Sequence, residues 1–434
     1  MKISEKTHQK LFNSFLLLIA ITMIFRQICT IIIIVFSVYN LIFYKRLNYN
    51  SNSIKLGMII ASPFILELIM FWNNNSYSMG FKSLEKTTTL LLFPLFILGN
   101  YKRIFFIKLL RYYSLVTTIT MLFFFIRFIV VYPEYINKYM RGIHLWETGY
   151  VFSNTMGMHA PALNMHIAFV AICNFYFFLN FEKHITPYIN KILSAFIFLI
   201  SFFVVLFINT RMSLFCMILG FVIILYYQFF KKENFQKSFK RSIIILSLSL
   251  VVFILFIQKD TFIKEKYTTQ IFSNIDKIGR LDEIEHPETV VYSSLVTRLS
   301  IWKSCWELSM KNMPIGVGSS DGKEALVNYF KETNQFFLAK YEFPTHNQYL
   351  DFLLRFGVLG GVVIIVYIFA FGYLGFRFKN PLLLSFFFLF FLSNLTDDFL
   401  IRFDGIVFSG YLFAIFVEYA LINRKNQYLD KENE

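Results

Sequence analysis

The stretch THNQYLDFLLRFGVLGGVVIIVYIFAFGYLG, residues 345–375, decides how this chain is read. From Phe352 onward it is apolar almost without interruption, apart from Arg355, and a hydrocarbon core about 30 Å thick calls for a run of about 20 such residues. Its start differs: His346, Asn347, Asp351 and Arg355 stand at the mouth of the apolar run. Taking 348–375 as one span, similar runs recur at 11–26, 28–44, 56–72, 84–99, 110–131, 160–181, 191–209, 212–230, 242–257, 381–396 and 405–422. The chain thus reads as an all-α integral membrane protein with about 12 transmembrane helices. Composition agrees, since 56% of the 434 residues are hydrophobic, 20% aromatic and only 16% charged, against roughly half apolar and a quarter charged in soluble domains.

Three regions follow: an N-terminal transmembrane bundle of about nine helices over 1–257, a large polar loop over 258–345, and C-terminal transmembrane helices over 346–434. The first span lacks a small-residue cleavage site and is expected to stay as an anchor. Cys29, Cys173, Cys216 and Cys305 show no paired spacing, so neither a disulfide framework nor a zinc site is expected.

The net charge of +15 invites a nucleic-acid reading, but its distribution argues otherwise. Lys and Arg concentrate in every second connection, for example Lys45, Arg46, Lys102, Arg103, Lys231, Lys232, Arg424 and Lys425, while the alternate short connections hold few. Cytoplasmic loops carry this excess, which places both termini in the cytoplasm and the large loop outside. The basic balance reports topology, with no nucleic acid implied.

Inside the large loop, SSLVTRLSIWKSCWELSMKN (293–312) puts Leu295, Leu299, Trp302 and Trp306 on one helical face, suited to lying on a membrane surface. MPIGVGSSDG (313–322) then breaks that helix, and its GVG reads as a turn, since no strand or lysine of a phosphate loop accompanies it.

Several groups in these outer segments can carry chemistry. Histidine takes up a proton near neutral pH, as activation of a sugar hydroxyl requires, and His346 heads a span where ionisable groups mark substrate paths. The bland alternative is a wet helix end with Asp351 and Arg355 paired structurally across one turn. Arg298 on the amphipathic helix and Arg211 at an outer helix end read either as lipid headgroup anchors or as a fork for phosphate oxygens. Arg141, His144, Glu147 and His159, with His166 just inside the next span, have no compact metal spacing and are read as acceptor or glycan contacts. Asp397, Asp398 and Asp404 in SNLTDDFLIRFDG (393–405) can be imagined around a divalent metal, but solvated turn carboxylates are the expected reading, and their role stays open. No metal or other cofactor is expected.

In HNQYLDFLLRFGVLGG, His346, Asn347, Gly357 and Gly360 fall in the register of a histidine, a small amide or hydroxyl, nine residues, a glycine, two residues and a small residue. This resembles the O-antigen ligase family, whose wider superfamily includes O-antigen and capsule polymerases. TRLSIWKSCWELSMKNMPIGVGSSDG resembles that family's loop, in which an arginine precedes an aromatic helix and a P-x-G-x-G turn. The resemblance implies a GT-C-like bundle in the bacterial inner membrane and a metal-independent, inverting transfer of glycan from undecaprenyl pyrophosphate. It implies further that a glycan or lipid A core accepts the glycan at the periplasmic face. By position, His346 would be the base and Arg298 and Arg211 would hold pyrophosphate, with Asn347, Asp351, Arg355, Arg141 and His144 as further substrate contacts. Trp302 stands where ligases often carry leucine after the loop arginine, so a polymerase remains the alternative. A transporter using Asp351 and Arg355 as a translocation pair, or a scaffold without catalysis, are the readings from other classes.

Overall fold

A computed structural model describes residues 3–141, 145–180, 188–230, 274–292 and 294–432. Among these residues the chain is helical, and the one extended pairing is an isolated bridge between Asn48 and Asn100. The protein is an all-α membrane protein. Seven described helices are long and apolar enough to cross a membrane, and two shorter apolar ones, Arg26–Ile42 and Pro381–Thr396, accompany them. The expected span at 242–257 lies outside the described residues.

The helices are α1 (Glu5–Thr22), α2 (Arg26–Ile42), α3 (Ser51–Ile69), α4 (Tyr77–Thr87), α5 (Thr89–Phe93), α6 (Phe106–Val131), α7 (Pro133–Met140), α8 (Leu145–Asn154), α9 (Ala160–Leu179), α10 (Tyr188–Ile208) and α11 (Arg211–Phe230). After the gap come α12 (Pro287–Val290), α13 (Leu295–Lys311), α14 (Gly322–Glu332), α15 (Phe336–Lys340), α16 (Gln348–Arg377), α17 (Pro381–Thr396) and α18 (Phe403–Glu432). Where one continuous span was expected at 84–99, the chain runs through α4, α5 and a π-helical piece, Pro94–Leu98. Pro94 has no N–H to give the α-helical ladder, which accounts for the change of winding there.

α9 and the membrane part of α18 form the centre, each 89% buried over its apolar window, whereas α6 is only 28% buried and turns most of its surface outward. A helix that is apolar all round belongs in the interior, and α9 fits: it packs on α6, α10, α11 and α17. α11 and α17 pair closely, and α16 lies against α17 and α3.

The described part of the large loop builds a small core of its own. Leu281, Val296, Ile301, Leu326, Phe330, Phe337 and Phe343 are buried together and close on Leu354 of α16. α13 is capped by Ser294, whose hydroxyl accepts from the Thr297 N–H. The face of α13 that packs inward carries Val296 and Ile301 together with the small residues Ser300, Ser304 and Cys305, all buried. The expected stripe divides, with Trp302 packed against this core and Trp306 52% exposed.

Candidate active site

α16 is two helices joined at a break. Gly357 adopts φ 58° and ψ −142° inside it, a conformation open to glycine alone. A break exposes backbone groups that hydrocarbon cannot satisfy, and the loop supplies the partners. Val317 N–H donates to Leu354 C=O at 2.9 Å, Gly318 N–H to Arg355 C=O at 3.0 Å, and Val358 N–H to Pro314 C=O at 3.0 Å. A Cβ on Gly357 would come 1.9 Å from the Pro314 oxygen. The two sequence motifs are therefore the two halves of one contact. The loop side is anchored in turn: Asn74 Oδ1 accepts from Ser319 Oγ, Ser320 N–H and Ser320 Oγ, and Asp321 accepts from Asn75 N–H.

The first turn of α16 is stitched to the end of α17. Asn347 caps α16, its Oδ1 accepting from the Tyr349 and Leu350 N–H groups, while its amide donates to Leu395 C=O at 3.1 Å. Gln348 Oε1 accepts from Leu400 N–H at 2.6 Å. Asp351 and Arg355 form the expected pair at 3.0 Å, and Thr345 and Gln348 also donate to Asp351.

This stitching brings Asp397 and Asp398 against His346. His346 Nδ1 lies 3.6 Å from Asp397 Oδ1, and His159, which precedes α9, places Nδ1 3.7 Å from Asp397 Oδ2. Arg402 Nη2 is 3.7 Å from Asp397 and 3.4 Å from Asp398. Both carboxylates are buried, Asp398 completely, so the expected solvated turn is corrected to an interior charge cluster. His346 itself has a left-handed backbone (φ 48°), and its carbonyl accepts from the Trp302 indole at 3.3 Å. Strained backbone of this kind persists where surrounding contacts over-determine it.

The electrostatics divide the two acids. Burial works against ionising Asp397, but His346, Arg402 and His159 outweigh it and hold its carboxyl below the usual range. Burial and the adjacent Asp397 charge push Asp398 well above it. The doublet thus carries one negative charge, as close carboxylates do. His159 is kept neutral: burial pushes its pKa down to about 4, and Arg402, His346 and Arg298 add to this against the pull of Asp397.

Arg298, in the first turn of α13, acts electrostatically on both His159 and Tyr150, whose rings meet edge to face at 6.2 Å. Arg211 opens α11 at the same end of the bundle, next to Thr210, which accepts from Asn164 of α9 at 2.6 Å. Arg141 ends α7, exposed, with no side-chain ion pair to this cluster among the described residues. His144 lies outside the described residues. Glu147 faces Lys138 at 3.8 Å, and His166 is buried within α9 with its ring 3.9 Å from that of Phe408.

Sequence reasoning missed the contacts of Asp397, Arg402 and the Trp302 indole, and it read His159 as an acceptor or glycan contact without its approach to Asp397. One signal was present, since Asp398 and Arg402 are four residues apart. His346, Asp397 and Asp398 each offer one ligand atom, all within 4.8 Å of one another, which a metal ion could use. Arg402 already neutralises these carboxylates from 3.4 and 3.7 Å, so a fixed cation occupies that role. Chemically, the cluster offers an imidazole facing a buried carboxylate, with Arg402 on that carboxylate and Arg298 near enough to act on His159.

Residues 196–365 match the sequence model of the family described as O-antigen ligase. The match includes Arg211, Arg298, His346 and the break at Gly357, and ends before Asp397. No curated protein matches the chain.

Proposed function

From the premise that this chain carries an O-antigen ligase family domain, we propose that it moves a glycan from undecaprenyl pyrophosphate to an acceptor hydroxyl at the outer face of the bacterial inner membrane. The observation that carries this reading is His346 facing buried Asp397 at the end of the bundle that also holds Arg298 and Arg211.

The acceptor oxygen attacks the anomeric carbon as the bond from that carbon to the pyrophosphate oxygen breaks. His346 Nε2 takes the hydroxyl proton, and the imidazolium formed is stabilised by Asp397. The lipid pyrophosphate leaves with the bonding pair, its charge met by Arg298 and Arg211. One displacement inverts the anomeric centre. The glycosyl pyrophosphate bond supplies the driving force, and no step is routed through a metal.

The same chemistry serves a ligase, with lipid A core as acceptor, or a polymerase, with a growing glycan. Deleting the gene in its host and complementing with wild type or His346→Ala tests both. Long chains held on the carrier and absent from the core identify a ligase, and single repeat units on the core identify a polymerase. We expect His346→Ala to fail to restore either product while the purified protein still binds lipid-linked donor. A ladder unchanged by deletion would remove the transferase reading for that polysaccharide. The buried Asp351–Arg355 pair keeps a carrier in view, and glycan flux into vesicles independent of His346 would favour it.

A further inference from the structure

Asp397 serves two histidines, and the reaction as drawn uses one. His346 and His159 approach different oxygens of the carboxylate, at 3.6 and 3.7 Å, each through Nδ1. Both Nδ1 atoms are buried, yet the two side chains remain 22% and 29% exposed. The accessible part of each ring is therefore the edge turned away from Asp397, which carries Nε2. A neutral imidazole has one N–H and one lone pair, and a carboxylate facing Nδ1 draws the proton to that nitrogen. Each ring is left with an Nε2 lone pair toward the open side.

The surroundings divide the labour. His159 is fixed by α9, its backbone N–H bonded to the Asp404 carboxylate and its ring beside Tyr150. Arg402, Arg298 and His346 all oppose a second positive charge there, with Asp397 alone favouring it. A ring held neutral is a poor base and a good hydrogen-bond acceptor. Resting on the transferase reading above, we propose that His159 is a second acceptor-binding residue whose Nε2 accepts a hydrogen bond from another hydroxyl of the acceptor while His346 deprotonates the attacking one. The class of acceptor follows: a polyhydroxylated sugar, which can engage both rings, in preference to the lone hydroxyl of a protein serine or threonine.

The test uses the full-length protein reconstituted in lipid. Lipid-linked glycan from a host strain lacking the gene serves as donor, and the glycan and glycolipid fraction of that strain as acceptor. His159→Phe keeps a ring without a lone pair, whereas His159→Gln restores an acceptor oxygen. We expect His159→Phe to raise the half-saturating acceptor concentration at least tenfold with the maximal rate within about threefold, and His159→Gln to stay within about threefold on both. His346→Ala loses turnover at every acceptor concentration. Half-saturation unchanged in His159→Phe, or raised tenfold in His159→Gln, overturns the inference, and either variant decides if the other fails to fold. Wild-type turnover by His346→Ala would instead remove His346 as the base and with it this division of labour, whereas no transfer by the wild-type protein would bring down the transferase reading itself.

Discussion

At the residue scale, Asp397 lies 3.6 Å from His346 Nδ1, and the proposed transfer gives it a task. A buried carboxylate facing Nδ1 fixes the tautomer and ring orientation of a base and stabilises its protonated form. Asp397→Asn keeps the size but loses the charge that His346, His159 and Arg402 share. Turnover is expected to fall on the order of 10²- to 10⁴-fold, with donor affinity little changed, as rate measurements beside lipid-linked donor binding would show. Preserved turnover in that variant would detach Asp397 from catalysis. His346 and Arg298 were legible as candidates because each stands at a fixed offset within a local motif. Asp397 was not legible as the partner of His346. A single sequence shows that an aspartate doublet is polar but not that it is buried, and the partner histidines lie on distant segments joined only by the fold.

At the scale of elements, the break in α16 is the feature the sequence half disclosed. Gly357 and the P-x-G-x-G turn were each recognisable, but their zipper joins residues far apart along the chain. The stripe Leu295, Leu299, Trp302 and Trp306 was read as one surface-lying face, and period alone did not say that Trp302 packs on the loop core beside Val296 and Ile301 while Trp306 stays exposed. Gly357→Ala would place a methyl against the Pro314 carbonyl and force a glycine-only backbone on alanine. A loss of at least about 3 kcal/mol is expected from strain and lost backbone hydrogen bonds, read as a lowered melting temperature in detergent together with loss of transfer. At Gly361, where the nearest atom to a new Cβ is the end of the Leu353 side chain at 3.3 Å, alanine is expected to be tolerated. Equal damage at both positions would show that the break has no special standing.

At the scale of the whole molecule, His346, Arg298 and the loop core share one end of the bundle, and the basic segments Lys45–Arg46 and Lys102–Arg103 lie at the other. We expect the His346 end to face the periplasm. With all four native cysteines buried, single cysteines placed at exposed Lys340 and Lys55 can report sidedness. A membrane-impermeant maleimide added to cells with a permeabilised outer membrane should label Lys340→Cys at once, and Lys55→Cys only after the inner membrane is broken. The reverse pattern would invert the molecule and remove the active-site assignment from the periplasmic side. Apolar length gave about 12 spans, of which seven described helices are long and apolar enough to cross a membrane, and Pro94 is where one expected span divides into shorter pieces. The asparagine run 73–75 holds the loop turn that in turn completes the backbone of α16. Loop and bundle are consequently not interchangeable parts. A hybrid made by swapping outer loops between two proteins of this architecture would inherit a helix whose missing backbone partners belong to another protein. Such grafts should work only when the asparagine run and the segment around Gly357 travel with the loop.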